Sequence, residues 1–248
     1  MDTNTQNHLR ICPDEFAWEL FDDPHGRPTT PVRVLRMNDP YILEADFPPH
    51  FYAGLHWHPH DTIYLITAGS MRFGDEGVFT EGEVRWVRGG HAYGPETAGP
   101  EGVRFHLISL GGPVGLNWAD LYEVPEALAE RLKTFDALHG RLTPGATAKV
   151  WPSDTPLAGV RVEVLSNTHP HVLRIELDAG ACLPAHAVVS DTLAYVKRGV
   201  VEVDSELRYL SGDLRFGRAK SVTGAMLAVD GPAEVLLIGL GGALDMAV

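Results

Sequence analysis

His56-Trp57-His58 places two imidazoles one residue apart, and His91 follows 33 residues beyond His58. Side chains alternate faces along a strand, so on a strand His56 and His58 point the same way. His60 shares that parity if the strand runs past Pro59. Two glycine-punctuated turns separate His58 from His91, about the length a β chain needs to go out and return beside itself. Neutral imidazole is the commonest side-chain ligand for Zn, Fe, Ni and Cu. His56, His58 and His91 are therefore candidate ligands of one divalent metal. Three imidazoles from two neighbouring strands cap one face of an ion and leave positions open, as a catalytic site needs and a structural one does not. Tyr64 shares the face of His56 and His58 and is a candidate to hydrogen-bond a bound substrate, with core filling as its simpler role.

The elements that must position these residues occur twice. Asp61-Thr62-Ile63 and Gly69 return 130 residues later as Asp191-Thr192-Leu193 and Gly199. Gly82-Glu83-Val84-Arg85-Trp86 returns as Gly212-Asp213-Leu214-Arg215-Phe216, and Leu107-Ile108 with Gly111-Gly112 as Leu237-Ile238 with Gly241-Gly242. A constant offset means two copies of one fold. Short β runs such as Tyr64-Leu65-Ile66, Met71-Arg72-Phe73 and Val84-Arg85-Trp86-Val87 end at Gly or Asp clusters. Many short strands at close spacing indicate a sandwich or jelly-roll barrel. The fold predicted is all-β, with two tandem jelly-roll barrels: a first over residues 41–112 and a second over 155–248. Residues 1–40, rich in proline, form an N-terminal extension suited to covering a sheet edge. In the linker over 113–154, Pro125 and the apolar series Ala127, Leu128, Leu132 and Phe135 predict a short helix between the barrels. The copies differ where the chemistry lies. The equivalents of His56, His58 and His91 are His186, Val188 and Ser221, so the second barrel is expected to bind no metal.

Composition narrows the function. The chain has 248 residues, 44% of them hydrophobic, and a formal net charge of −13. That charge argues against nucleic acid and against an anionic membrane as partners. No apolar run approaches the roughly 20 residues that span a bilayer. The N-terminus lacks the basic start and apolar stretch of a secretion signal, and the two cysteines, Cys12 and Cys182, make no disulfide framework. A cytoplasmic protein is the expectation. Sheet edges and the extension make a homo-oligomer, a dimer, the expected assembly.

The first repeat resembles a cupin barrel and the whole chain a bicupin. The family's first motif is H-x-H, three or four residues, Glu, six residues, Gly. Here it reads His56-Trp57-His58, Pro59-His60-Asp61, Thr62, then six residues to Gly69. Thr62 stands at the Glu position, and the resemblance then implies a three-His set without a carboxylate. The second motif is G-x5-P-x-G-x2-H-x3-N. Gly82 and Gly90 fit it, Arg88 replaces the Pro, and the strict His position is Tyr93. His91 sits two residues early on the same strand face, with Tyr93 and His106 as the other candidates to complete the site. Three-His cupins include diketone-cleaving and ring-cleaving dioxygenases. The resemblance therefore implies a non-haem Fe(II) dioxygenase acting on a small chelating substrate such as a diketone, enol or phenolic acid. Zn, Mn or Ni acting as a Lewis acid in a hydrolase, lyase or isomerase is the alternative, with His60, Asp61 and Glu83 near the motif as possible bases. A non-enzymatic binding or sensor protein is a third. Arg72, Arg85 and Arg104 are candidates to pair a substrate carboxylate, or are surface strand charges.

Overall fold

The computed structural model describes residues 8–21, 30–119, 140–141, 157–166, 169–204, 207–241 and 246–247. The helix expected over 125–135 lies outside the described residues. Within them, the only helical element is a 3-10 turn, Pro13–Glu15. No described helix is long and apolar enough to cross a membrane.

The first strands in chain order are β1 (His8–Ile11), β2 (Glu19–Leu20), β3 (Pro31–Arg36), β4 (Tyr41–Phe47), β5 (Tyr52–Ala53), β6 (His56–Trp57), β7 (Asp61–Phe73), β8 (Gly77–Thr80), β9 (Val84–Val87), β10 (Glu96–Leu110), β11 (Asn117–Trp118) and β12 (Gly140–Arg141). They are followed by β13 (Val160–Ser166), β14 (His171–Leu177), β15 (Cys182–Leu183), β16 (His186–Val188), β17 (Thr192–Val203), β18 (Leu207–Leu210), β19 (Leu214–Gly217), β20 (Val222–Thr223), β21 (Met226–Gly239) and β22 (Met246–Ala247). The chain divides into two compact units, Asp14–Leu142 and Met1–Pro13 with Thr143–Val248. The expected N-terminal extension is thus shared out. β2 and β3 join the sheet of the first unit, and β1 pairs antiparallel with β19 in the second.

In the first unit the main sheet runs β12-β9-β7-β10-β4-β3-β2, with β8 on β7 and β5 on β10. β7 and β10 are long enough to bend. The first half of β7 pairs β9 and its last residues pair β8, while β10 pairs β5 at its start and β4 after residue 103. Bent strands that change partners close a jelly roll around one core. Tyr64, Ile66, Phe73, Phe79, Phe105 and Leu107 fill that core. The second unit repeats the plan at the same 130-residue offset: β14 pairs β21, β17 pairs β19 and β21, and β18 pairs β17. Its interior is apolar, built on Leu173, Ile175, Val196, Val201, Val235 and Leu237.

The bends depend on glycine. Gly69 has φ 71, and a Cβ there would stand 2.2 Å from the carbonyl oxygen of Gly102 on the neighbouring strand. Gly199, its counterpart in the second unit, has φ 82 and would meet the Pro232 carbonyl oxygen at 2.4 Å. A left-handed backbone costs a non-glycine residue about 1–3 kcal/mol before any clash. Gly69→Ala and Gly199→Ala should each lower stability by more than that amount in chemical denaturation. Gly212→Ala, at φ 98 but with nothing within 4 Å of the added Cβ, should cost only the backbone share.

Candidate metal centre

His56 is held on three sides. β6 pairs β11 with His56 opposite Trp118, and His56 forms an antiparallel bridge with Tyr93. The His56 N–H donates to the Tyr93 carbonyl at 3.1 Å, and the Tyr93 N–H donates to the His56 carbonyl at 2.9 Å. The His56 Nδ1 sits 2.8 Å from the Gly54 carbonyl oxygen, and the His58 Nδ1 lies 2.6 Å from that of Gly115. A carbonyl only accepts, so each Nδ1 carries the proton and each Nε2 keeps its lone pair. Such an outer hydrogen bond is what orients a metal-binding imidazole. Burial pushes the His56 ring down to about 4 and the His58 ring to about 3, the latter also lowered by its neighbour His56. Both are neutral at physiological pH, the form that binds metals.

Both histidines face a cavity of about 100 Å³ with Tyr64 and Glu96. The rest of its wall is largely apolar and includes Phe47, Phe51, Phe105, Leu107, Leu116 and Trp118. The Tyr64 hydroxyl is 3.4 Å from His58 Nε2 and 2.5 Å from the Tyr93 hydroxyl. Burial, then the charge of Glu96, raises both phenols well above their ordinary value, so both stay protonated. Arg85 lies beneath them, fully buried. Its Nε and Nη2 donate to Glu76 at 2.8 and 2.5 Å, and its guanidinium packs over the Phe73 and Tyr93 rings at 4.2 and 4.4 Å. Burial opposes its charge most strongly, and the Glu76 hydrogen bonds together with the attraction of Tyr93, Glu76 and Tyr64 raise its pKa.

Glu96 is 2% exposed. Burial pushes its carboxyl up to about 7 against the hydrogen bond from Tyr64 and the attraction of Arg85. Its Oε1 has no hydrogen-bond partner and lies 3.7 Å from His56 Nε2. Because His56 is neutral, this contact is not an ion pair at neutral pH.

The structure brings together His56, His58 and Tyr64 as expected from their shared face. His91 stands elsewhere. It closes a turn by donating its N–H to the Arg88 carbonyl at 3.2 Å, next to Gly90 at φ 77, and it does not line the cavity. The chain enters the ladder beside His56 only at Tyr93, so the phenol occupies the place expected for a third imidazole. His60 also leaves the site, because its strand breaks at Pro59 and its ring packs near Gly111 and Gly112. His106 is buried on the face of β10 opposite Phe105 and Leu107, with its Nε2 3.5 Å from Glu44. Of the three arginines, Arg85 is buried behind the tyrosines. Arg104 pairs with Asp46 at 2.9 Å, and Arg72 is exposed on β7. Glu96 is not legible in the sequence, because unbroken alternation sets it on the face opposite Phe105 and only the irregularities of β10 between Ala98 and Phe105 bring both to the interior.

Two neutral imidazoles with outward-held lone pairs and an unpartnered carboxylate oxygen are the donor chemistry of a divalent metal site. Among the described residues no three His, Cys, Asp or Glu side chains are placed, as they stand, to hold a metal ion together. In the second unit His186 keeps the same support, its Nδ1 3.0 Å from the Pro184 carbonyl oxygen, and stands opposite Thr223. The positions of His58, Tyr64, Tyr93 and Glu96 hold Val188, Ala194, Thr223 and Met226 there.

No protein-family model matches the sequence, and no curated protein is significantly similar to it. Solved structures share its fold. An oxalate decarboxylase of Lactobacillus farciminis, in complex with formate, is 15% identical with a TM-score of 0.64, over 97% of this chain and 88% of that one. A candidate dioxygenase from Nostoc punctiforme is 14% identical with a TM-score of 0.69, over 96% of this chain and 84% of that one. Bacillus subtilis oxalate decarboxylase, which has Mn(II) centres, is 16% identical with a TM-score of 0.60, over 93% and 76%. The fold is of the cupin type. Identities this low establish the fold and not the activity.

The neutral histidines carry a pH dependence. Their folded pKa values lie below the ordinary 6.5, so the folded state binds fewer protons than the unfolded state in that window. Stability of chelator-treated protein should fall as pH drops from about 6.5 towards 3. The raised Glu96 carboxyl acts oppositely, losing stability as pH rises from its ordinary value to about 7, but it is one group against two. His58→Asn should make the fall in thermal stability between pH 6.5 and 4 shallower, by up to about 1.4 kcal/mol per pH unit. An unchanged slope would mean that His58 is not held neutral by the fold.

Proposed function

We propose that the chain is a bicupin metalloenzyme whose first barrel binds one divalent ion through His56 and His58 and acts on a small oxygen-bearing organic molecule. Fe(II) is the preferred ion and dioxygen the co-substrate; Zn, Mn or Ni are the other candidates. The observation that carries this reading is the pair of Nε2 lone pairs held into an apolar cavity by imidazoles that are neutral and pinned at Nδ1. Bound Fe(II) supplies a centre at which a chelating substrate and dioxygen can meet. The apolar wall keeps water out and accepts the hydrocarbon part of a diketone, enol or phenolic acid. The Tyr64 hydroxyl, protonated and 3.4 Å from His58 Nε2, is placed to donate a hydrogen bond to the substrate's oxygen end. The likeness in fold to a candidate dioxygenase supports the same reading.

A second reading is a metal-dependent lyase, favoured by the likeness in fold to oxalate decarboxylases. Against a small dianion such as oxalate stands the cavity wall, which includes no Lys or Arg among the described residues. The proposal also includes a homo-oligomer, supported by exposed Leu20 on β2 at the end of the sheet order. A monomer in light scattering at high concentration would remove that part.

Metal analysis of protein purified without added metal should find about one divalent ion per chain. His56→Ala or His58→Ala should abolish binding, and His186→Ala should leave it unchanged. Equal loss from the His186 variant would move the site to the other barrel. Protein reconstituted with Fe(II) should consume oxygen with a diketone, enol or phenolic acid. Turnover with Zn that is indifferent to oxygen would replace the oxygenase reading by Lewis-acid chemistry.

A further inference from the structure

The carboxylate missing from the first motif at Thr62 has a substitute on the opposite strand. We propose that Glu96 is the third protein ligand of the ion held by His56 and His58. This rests on the reading that the first barrel binds a metal.

Placement comes first. Glu96 opens β10 opposite Phe73, on the interior face that also carries Ala98, and it lines the same cavity as the two histidines. Its Oε1 stands 3.7 Å from His56 Nε2. Donor atoms about 2.1 Å from a common ion lie roughly 3 to 3.4 Å apart at right-angled to tetrahedral geometry. The Glu96–His56 gap closes with a few tenths of an ångström, within the reach of a side chain with three rotatable bonds. As they stand, no three His, Cys, Asp or Glu side chains among the described residues are placed to hold an ion, so the three groups have to draw together on binding.

The hydrogen-bond inventory points the same way. The Tyr64 hydroxyl is taken up by Tyr93 and His58 Nε2, and Glu96 Oε1 has no hydrogen-bond partner. The nearby cation does not satisfy it: Arg85 gives Nε and Nη2 to Glu76, and its Nη1, also without a hydrogen-bond partner, makes no bond to Glu96. A buried polar oxygen without a partner is costly and rarely kept without a reason. The fold does not supply one. In the second unit the same strand position is Met226, buried in an interior built on the same plan. Tyr64, Tyr93, His58 and Glu96 are replaced together there, as expected of a set that serves one ligand.

The resulting donor set is two imidazoles and one carboxylate. That set leaves up to three adjacent positions on an octahedral ion, enough for a chelating substrate and dioxygen together. It differs from the three-His set implied by the resemblance in chemistry as well as in residues, because the carboxylate lowers the net charge of the site.

The test uses Co(II) as probe on metal-free full-length protein, read by its visible spectrum and by equilibrium dialysis. Wild type should bind one equivalent. Glu96→Gln should keep its circular dichroism and thermal midpoint, lose at least about 100-fold in Co(II) affinity and show an altered spectrum. His91→Ala and Tyr93→Phe should bind within threefold of wild type. No binding by the wild type would overturn the metalloenzyme reading itself. Tight wild-type binding with an unaffected Glu96→Gln variant would overturn only the assignment of Glu96, as would a loss that follows His91→Ala or Tyr93→Phe instead. If Glu96→Gln does not fold, a crystal structure of the Co(II)-loaded wild type decides. A Glu96 oxygen about 2.0–2.2 Å from the ion supports the assignment. A carboxylate turned away from the ion overturns it.

Discussion

The register of β7 against β10 decides which residues of the first unit face its cavity. Leu107 stands opposite Tyr64 and Phe105 opposite Ile66. Past the bend at Gly69, Glu96 stands opposite Phe73. Because side chains alternate with period two, a slip of one residue would carry His106 and Arg104 inward and expel the phenylalanine and leucine of the wall. Gly69 and Gly102 hold the strands in place at the bend, where their backbones come too close for any Cβ. The polar cluster and its apolar surroundings are both consequences of that pairing.

Inside a barrel so closed, polar groups survive only where they are paired. Arg85 is neutralised by Glu76 and sandwiched by aromatic rings. Tyr64 and Tyr93 bond each other. The histidines shed their charge and give their Nδ1 protons to backbone carbonyls. The His56 and His58 rings and Glu96, whose Oε1 has no hydrogen-bond partner, line the cavity, with the Tyr64 hydroxyl 3.4 Å from His58 Nε2. These are groups of the kind that hold a divalent metal, brought to one cavity by the fold.

The second unit shows what the scaffold needs without that chemistry. It keeps the strand pairings, the bend glycine at Gly199 and the pinned His186. Its interior otherwise turns to aliphatic packing. Arg215 at the position of Arg85 loses some of its charge preference, because burial there outweighs the attraction of Tyr209. The scaffold and the site are therefore separable, and one duplicated fold carries a polar pocket in one copy and an apolar core in the other.

The sequence by itself determined the duplicated all-β plan, since a fixed offset of 130 residues and glycine-bounded β runs are properties of the chain alone. It also determined that His56, His58 and Tyr64 share a face, because strand alternation is local. It did not determine the rest of the site. Whether His91 or Tyr93 meets His56 depends on where a turn at Gly90 ends and a bridge begins, and two residues of turn decide it. The place of β2 and β3 in the first sheet and of β1 in the second depends on partners far along the chain. Glu96 meets His56 only through pairings of β10 that straddle a bulge, where alternation no longer predicts which way a side chain points. Local spacing reads out what one strand does, and only the tertiary structure decides which atoms of different strands come within bonding reach.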